Sequence, residues 1–221
     1  MKKTFSILFF VVIATMGVVN AQTKAKKSKK STTKKTTTTE VVTSKSTAIY
    51  QIDKEATVVK WTGKKVGGQH SGKVKVENGT LKTSENNILG GNMVVDMNSI
   101  TCDDISDAEY NGKLVGHLKN EDFFNTMNFP HAILEIVKVT NKGNGMYHIE
   151  GTLTIKGETN KIDFDAKLSA FGDKITGTAS VSFDRTKYNV KYGSGLVGTA
   201  KDKMIYDDIT LDIEFVANKR G

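Results

Sequence analysis

Apolar and polar residues alternate with a period of two through most of the chain after Ala48. Such alternation is typical of antiparallel strands that bury one face and expose the other to water. The predicted strands cover residues 58–64, 70–77, 92–100, 132–140, 147–156, 161–168, 174–183 and 208–215. Short segments that contain glycine predict turns between many of these strands, at residues 77–79, 141–145, 156–158 and 171–173.

One stretch, residues 103–124, breaks the strand pattern. Its apolar residues are scattered among acids and amides, which predicts one or two short helical turns. Proline has no backbone N–H and disfavours helical geometry in the residue before it. We therefore expect the helical excursion to end before Phe129 and Pro130, and an extended segment to follow them.

These elements predict an all-β fold with one short helical excursion, either a closed barrel or a sandwich. A barrel has the advantage that it leaves no exposed strand edge. Gly72, Gly151 and Gly177 fall on the apolar faces of their strands. Two interpretations of these glycines stay open. They leave room for a ligand inside the fold, or they relieve strain where the strands coil sharply.

The first 21 residues have the layout of a secretory signal peptide. Lys2 and Lys3 form a basic start, residues 5–19 form an apolar run, and Val19 and Ala21 precede a suitable cleavage point. The run is shorter than the ~20 residues that a membrane-spanning helix needs. We therefore predict cleavage after Ala21, export, and no transmembrane span in the mature chain.

Residues 22–47 are rich in Lys, Thr and Ser and carry a formal charge of +7, whereas residues 48–221 carry −1. A segment with so little to bury should be disordered, so we predict a linker. It is either a solvated spacer or a polybasic contact with anionic lipid or polymer of the envelope. Because the excess charge lies outside the predicted domain, we expect no nucleic-acid binding.

Side chains suited to catalysis or metal binding are sparse. His70, His117, His131 and His148 lie at none of the spacings typical of metal sites, and the sequence has no nucleophile elbow or phosphate-binding loop. Cys102 is the one cysteine, which excludes an intrachain disulfide. We therefore predict a binding protein rather than an enzyme, with no cofactor and no metal.

Four segments together resemble the YceI-like domain, a lipocalin-like periplasmic family associated with polyisoprenoid binding. They are residues 95–100 (VDMNSI), 116–124 (GHLKNEDFF) with the later Phe129-Pro130, 151–159 (GTLTIKGET) and 183–186 (FDRT). The resemblance extends to about residue 217 and predicts a domain over residues 48–221. It implies an antiparallel barrel of about eight strands with a hydrophobic lumen. It also implies a periplasmic location, with secretion as the alternative.

The resemblance further implies that a polyisoprenoid or another long apolar lipid lies inside the barrel. Phe123, Phe124 and Phe129 are expected to close or line the mouth. His70 and Arg185 are expected to meet a polar head group. The predicted ligand-binding residues are Trp61, His70, Val74, Met93, Val95, Phe123, Phe124, Phe129, Leu134, Ile149, Leu153, Phe164, Ala179, Val181, Phe183 and Arg185.

An alternative function is an adaptor barrel that binds a protein partner and holds nothing inside. Residues 132–139 carry apolar side chains on both faces of their predicted strand. That pattern favours a buried second face, and with it a possible homodimer contact. A lipid that co-extracts with the purified protein would distinguish the binder from the adaptor.

Overall fold

The computed structural model describes residues 46–85 and 87–221. The predicted signal peptide and residues 22–45 of the predicted linker lie outside the described residues. Thr47, predicted as the last linker residue, is the first residue of a strand. Within the described ranges the chain forms nine strands and one α-helix: β1 (Thr47–Ile52), β2 (Val58–Lys65), β3 (Gly68–Ser84), β4 (Asn87–Asp96), α1 (Ala108–Lys119), β5 (His131–Gly143), β6 (Met146–Ile155), β7 (Glu158–Phe171), β8 (Lys174–Asp184) and β9 (Ile205–Lys219).

The strands close into an antiparallel barrel with eight positions around its wall. From β2 to β9 each strand pairs with the next one in the chain, and β9 pairs back with β2. The ninth strand does not enlarge the barrel, because β1 and β2 both lie between β3 and β9 and together occupy a single position in the wall. β1 pairs with the second half of β3 and the end of β9, while β2 pairs with the first half of β3 and the start of β9. The predicted eight-stranded antiparallel barrel is therefore confirmed.

The period-two alternation marks the inward face of the wall. On β8, Ile175, Val181 and Phe183 are buried, whereas Lys174 and Thr176 are exposed. The same rule holds on β6, β7 and β9, and the inward residues form one main hydrophobic core. Burial of these alternate side chains is the main force that holds the strands in register.

The structure differs from the predicted strands at the start of the chain's folded part. β1 was not among the predicted strands, and the predicted turn at residues 77–79 is wrong. β3 continues through that segment to Ser84, with a bulge against β4 between Val76 and Asn78. Gly79 serves close packing instead of a turn, since a Cβ there would lie 2.6 Å from the carbonyl oxygen of Asn92.

The irregular pattern of the fourth predicted strand has a local cause. β5 contains a bulge between Ile136 and Lys138, where it pairs with β6. A bulge adds one residue and shifts the inward phase by one position, so apolar residues fall on alternate phases before and after it. Val137, the bulged residue, is 69% exposed. The bulge accounts for most of the two-faced pattern, and the homodimer contact stays a prediction.

Two long connections cover one end of the barrel, which we call the mouth end. The first, residues 97–130, contains α1, whose 12 residues make about three turns instead of one or two. Asp107 caps this helix, since its side chain accepts hydrogen bonds from the N–H groups of Glu109 and Tyr110. β5 begins directly after Pro130, as predicted.

The second connection, residues 185–204, joins β8 to β9. The opposite end, the far end, carries hairpin turns at residues 144–145 and 172–173.

Candidate functional site

A cavity of about 170 Å³ lies inside the mouth end of the barrel. Side chains from β2 to β9 form its wall, and Leu114 and Leu118 of α1 form part of its cover. These two leucines were not predicted as site residues, although their spacing of four places both on one helix face. Nearly all of the wall is aliphatic or aromatic, so the cavity is suited to an apolar molecule.

Thirteen of the sixteen predicted residues line this cavity. They occupy inward positions on seven strands or lie in the two long connections. They are Trp61, His70, Val74, Met93, Val95, Phe123, Phe124, Leu134, Leu153, Phe164, Val181, Phe183 and Arg185.

The remaining three predicted residues lie elsewhere. Ile149 and Ala179 line a second cavity of about 50 Å³, nearer the far end of the barrel. They have the inward phase, they lie nearer the far end than the residues of the larger cavity, and their contact with a ligand stays a prediction. Phe129 lines neither cavity. Its ring packs on the hairpin turn at Gly157, where a Cβ would lie 2.9 Å from the ring.

One layer of side chains separates the two cavities. Met93, Leu134, Phe164 and Ile213 each line both of them. These residues come from β4, β5, β7 and β9, so the layer spans the barrel. Rearrangement of this layer would join the two cavities along the barrel axis.

The glycines on the inward face do not create this space. A Cβ on Gly72 or Gly151 would overlap the backbone carbonyl oxygens of Thr101 and Glu135, respectively. At Gly177 it would overlap side chains of the wall. The glycines therefore allow close local packing instead of leaving room for a ligand, and their role in strand coiling stays a prediction.

The exposed charged groups of the cavity lie at its rim. Lys64 and Lys65, at the end of β2, line the cavity and are exposed, so the cavity reaches the surface beside the β2–β3 hairpin. His70 lines the same rim, and its Nδ1 lies 2.8 Å from Oδ2 of Asp104. Burial raises the pKa of Asp104. Hydrogen bonds from the Ser71 N–H, His70 and the Cys102 thiol outweigh that effect and lower the pKa to about 2.

Arg185 is fully buried, and its guanidinium is occupied by the protein itself. It donates to the carbonyl oxygens of Val190, Ile205 and Tyr206 at 2.8–3.2 Å, and to Oδ1 of Asp207 at 3.2 Å. Burial lowers the pKa of Arg185, and Asp207 opposes that effect. Arg185 therefore fixes both ends of the second long connection. The rim lysines are better placed than Arg185 to meet a head group.

Aromatic rings join the two long connections over the cavity. His117 of α1 packs edge-on against Phe123 and Tyr192, with ring centroids 5.0 Å and 4.5 Å away. Phe123 also lies 5.6 Å from Tyr192 and beneath the guanidinium of Arg185. Tyr192, which sequence analysis missed, is therefore part of the cover. No helix among the described residues combines the length and the apolar character needed to cross a membrane.

Comparison with known sequences gives partial matches to curated proteins. A UPF0312 protein of Yersinia pestis (strain Pestoides F) is 31% identical over 93 residues, which is 42% of this chain and 44% of the relative. A UPF0312 protein of Vibrio cholerae is 28% identical over 102 residues, which is 45% of this chain and 52% of the relative. The chain thus spans about half the length of the curated relatives it matches.

Two solved structures share the fold. Burkholderia cenocepacia BcnA has a TM-score of 0.61 at 20% identity, and the match covers 75% of this chain and 98% of BcnA. A polyisoprenoid binding domain from Saccharophagus degradans, implicated in plant cell wall breakdown, has a TM-score of 0.57 at 14% identity. The match covers 77% of this chain and 98% of that domain's chain. The family model of the YceI-like domain matches residues 50–217, which is most of the barrel. The chain belongs to the YceI-like domain family.

Proposed function

We propose that this protein binds an apolar lipid of the polyisoprenoid type in the cavity at the mouth end. The observation that carries the proposal is a cavity with an apolar wall, formed by eight strands and one helix, whose exposed charged groups lie at the rim. The likeness in fold to a structure described as a polyisoprenoid binding domain supports this choice of ligand. The chemistry is binding, without a catalytic step.

The size of the cavity limits how much of the ligand lies inside. An engineered apolar cavity of ~150 Å³ in another protein holds benzene or xenon. The 170 Å³ found here therefore suits the leading segment of a branched chain, and a longer chain would displace the layer of Met93, Leu134, Phe164 and Ile213. Each Å² of apolar surface removed from water contributes ~25 cal/mol to the binding free energy.

The rim defines the orientation of the ligand. Lys64 and Lys65 are the exposed cations that line the cavity. We expect the apolar chain to enter first and an anionic or polar head group to stay beside these lysines, where water still solvates it. A charged head group inside the apolar wall would carry a desolvation cost that no unoccupied cation there offsets.

Organic extraction tests the occupancy of the cavity. Protein purified from its native host is extracted with solvent, and the extract is analysed by mass spectrometry against an extract of the Val181→Phe variant. We expect a polyisoprenoid-type lipid from the wild type only. If neither protein yields a lipid and delipidated wild type does not bind farnesol or a long-chain polyprenol, the proposal is wrong and the adaptor function replaces it.

A pair of substitutions on one strand locates the ligand. Val181 and Ala179 both point inward from β8, but Val181 lines the larger cavity and Ala179 the smaller one. Val181→Phe should abolish binding of farnesol, whereas Ala179→Phe should weaken only the binding of a long-chain polyprenol. The added volume costs about 1–3 kcal/mol of stability if the space is already packed. Thr178→Phe is the matched control, because Thr178 is exposed on the same strand.

We also propose that the protein is exported to the periplasm. The basic start, apolar run and cleavage point within residues 1–21 support export. Mass-spectrometric sequencing of the N-terminal peptide, from protein in the envelope fraction, should place the mature start near Gln22. Protein that retains Met1 in the membrane fraction would contradict this part of the proposal.

A further inference from the structure

We propose that His70, Cys102 and Asp104 bind a zinc ion at the rim of the cavity. His70 lies on β3, and the other two residues lie in the first long connection, just before α1. Nδ1 of His70 lies 2.8 Å from Oδ2 of Asp104, and Sγ of Cys102 lies 3.3 Å from Oδ1 of the same carboxylate. One imidazole nitrogen, one sulfur and one carboxylate oxygen thus lie within 4.8 Å of one another.

The backbone holds these three side chains in place on both sides. Next to Cys102, the N–H of Thr101 donates to the carbonyl of Lys73 at 3.0 Å. On the other side, the N–H of Asp103 donates to the carbonyl of Ser71 at 2.8 Å. The segment that carries Cys102 and Asp104 is therefore fastened along β3, the strand that carries His70.

The helix adds a third fastening. Nδ2 of Asn111, in α1, donates to the carbonyl oxygens of Cys102 and Ile105 at 2.8 Å and 2.9 Å. These hydrogen bonds of the backbone and of Asn111 hold the segment that carries Cys102 and Asp104 beside His70. A preformed site loses less conformational entropy on binding than one that the ion must assemble.

The donor set determines the class of metal. Mg²⁺ and Ca²⁺ prefer oxygen ligands throughout, whereas a thiolate, an imidazole and a carboxylate together suit Zn²⁺. Three protein ligands leave a fourth tetrahedral position for water or another small ligand. His70 and Asp104 side chains are 27% and 32% exposed, so an ion reaches the site directly from solvent. Cys102 is 7% exposed and supplies the inner ligand.

The chain contains matched pairs that lack the thiol. Nδ1 of His148 lies 2.8 Å from Oδ1 of Asp165, and Nε2 of His131 lies 2.8 Å from Oε2 of Glu77. In both pairs the distance between the imidazole nitrogen and the carboxylate oxygen equals that between His70 and Asp104. Among the described residues, the group at His70 is the one in which three such ligands converge. The proposal therefore predicts tight binding at His70 and not at His148.

The test uses the full mature chain, purified without a histidine tag, stripped with EDTA and delipidated. Zinc is titrated against a chromophoric chelator, and Co²⁺ is used as a spectroscopic probe. We expect one Zn²⁺ per chain and a near-ultraviolet thiolate-to-cobalt band. Cys102→Ser should abolish the band, and His70→Gln should weaken zinc affinity by more than the roughly 10–100-fold cost of losing an outer-shell partner. His148→Gln should leave both measurements unchanged.

Two outcomes would overturn the proposal. One is equal zinc affinity in wild type and His70→Gln, a variant at a half-exposed position that keeps the cysteine. The other is a wild type without the cobalt band. Either result would mean that the three residues do not bind zinc and that their hydrogen bonds only hold the first long connection against β3. Because the protein is free of lipid, the result is independent of whether the cavity binds a polyisoprenoid.

Discussion

The mouth end and the far end of the barrel are closed by different structures. At the far end, hairpin turns join the strands, and side chains leave a cavity of only about 50 Å³. At the mouth end, two long connections cover a cavity of about 170 Å³. The strands form the same kind of wall at both ends. The comparison therefore teaches that the connections, and not the sheet, determine where the barrel has room for a ligand.

The two ends also differ in how they use charge. At the mouth end, Arg185 is fully buried and bonded to three carbonyl oxygens and one carboxylate. At the far end, Lys219 and Asp173 form an ion pair whose side chains are 45% and 82% exposed. Exposed pairs contribute little, whereas removal of one partner from a buried network leaves unpaired polar groups. Substitutions at the mouth end should therefore cost more stability.

Replacement of Arg185 gives the largest expected effect. Arg185→Met keeps much of the side-chain volume but leaves three carbonyl oxygens and Asp207 without their donor. We expect a loss of about 3–5 kcal/mol in the free energy of unfolding, measured by urea denaturation. Lys219→Met is the far-end control and should cost at most about 1 kcal/mol. Similar losses in the two variants would remove the contrast between the ends.

Glycine substitutions compare backbone packing at the two ends. At Gly72 an added Cβ would overlap the carbonyl of Thr101, which also accepts a hydrogen bond from Nε1 of Trp61 at 3.0 Å. We expect Gly72→Ala to cost about 2–3 kcal/mol, with a shift in the tryptophan fluorescence. At Gly177 the overlapping atoms belong to the side chains of Phe215 and Leu168, which can rotate. Gly177→Ala should therefore cost less, and the reverse order would contradict this account.

The barrel could be predicted from the sequence because its signal is local. Residues such as Leu153 and Val181 alternate with polar neighbours, and that alternation fixes both the strand and the inward face. The same rule did not separate Ile149 and Ala179, which line the smaller cavity, from the residues of the larger one, because inward phase does not tell how far along the barrel axis a residue lies. It also gave no account of β1, which shares one barrel position with β2.

The parts of the site that the sequence did not predict depend on the long connections. Asp104 approaches His70 across 34 positions, and the three carbonyl partners of Arg185 lie 5 to 21 positions away along the chain. A periodic sequence pattern cannot predict these long-range contacts, because they depend on how residues 97–130 and 185–204 fold over the barrel. The sequence shows that Leu114 and Leu118 are apolar, but it does not predict that they cover the cavity.

Asp104 should make the mouth end sensitive to acid. The pKa of Asp104 is about 2, below its ordinary value of 3.8, so this carboxylate stabilises the fold above about pH 4. The contribution is lost as the pH falls through about 2. We expect Asp104→Asn to be less stable by about 1–2 kcal/mol at pH 7, a value that allows for partial solvent screening. The difference from the wild type should shrink between pH 4 and pH 2.

Urea midpoints of metal-free protein at pH 7, 4 and 2.5 measure this effect. Asp103→Asn is the matched control, because Asp103 lies next to Asp104 and its contact with Lys73, at 3.4 Å, is half-exposed. A difference between wild type and Asp104→Asn that stays constant over this range would show that the carboxylate's charge is not what stabilises the rim.

The smallest expected effect has the opposite sign and concerns α1, the helix that covers the mouth end. Gly116 lies within α1, and a Cβ at this position would meet nothing within 4 Å. Alanine loses less backbone entropy on folding than glycine and is the better helix former. Gly116→Ala should therefore stabilise the protein by about 0.5–1 kcal/mol in urea denaturation. Because Gly116 does not line the cavity, the affinity for farnesol should not change. A destabilised variant would mean that α1 must distort at Gly116 to cover the barrel. The mouth end would then differ from the far end by strain in its cover as well as by the length of its connections.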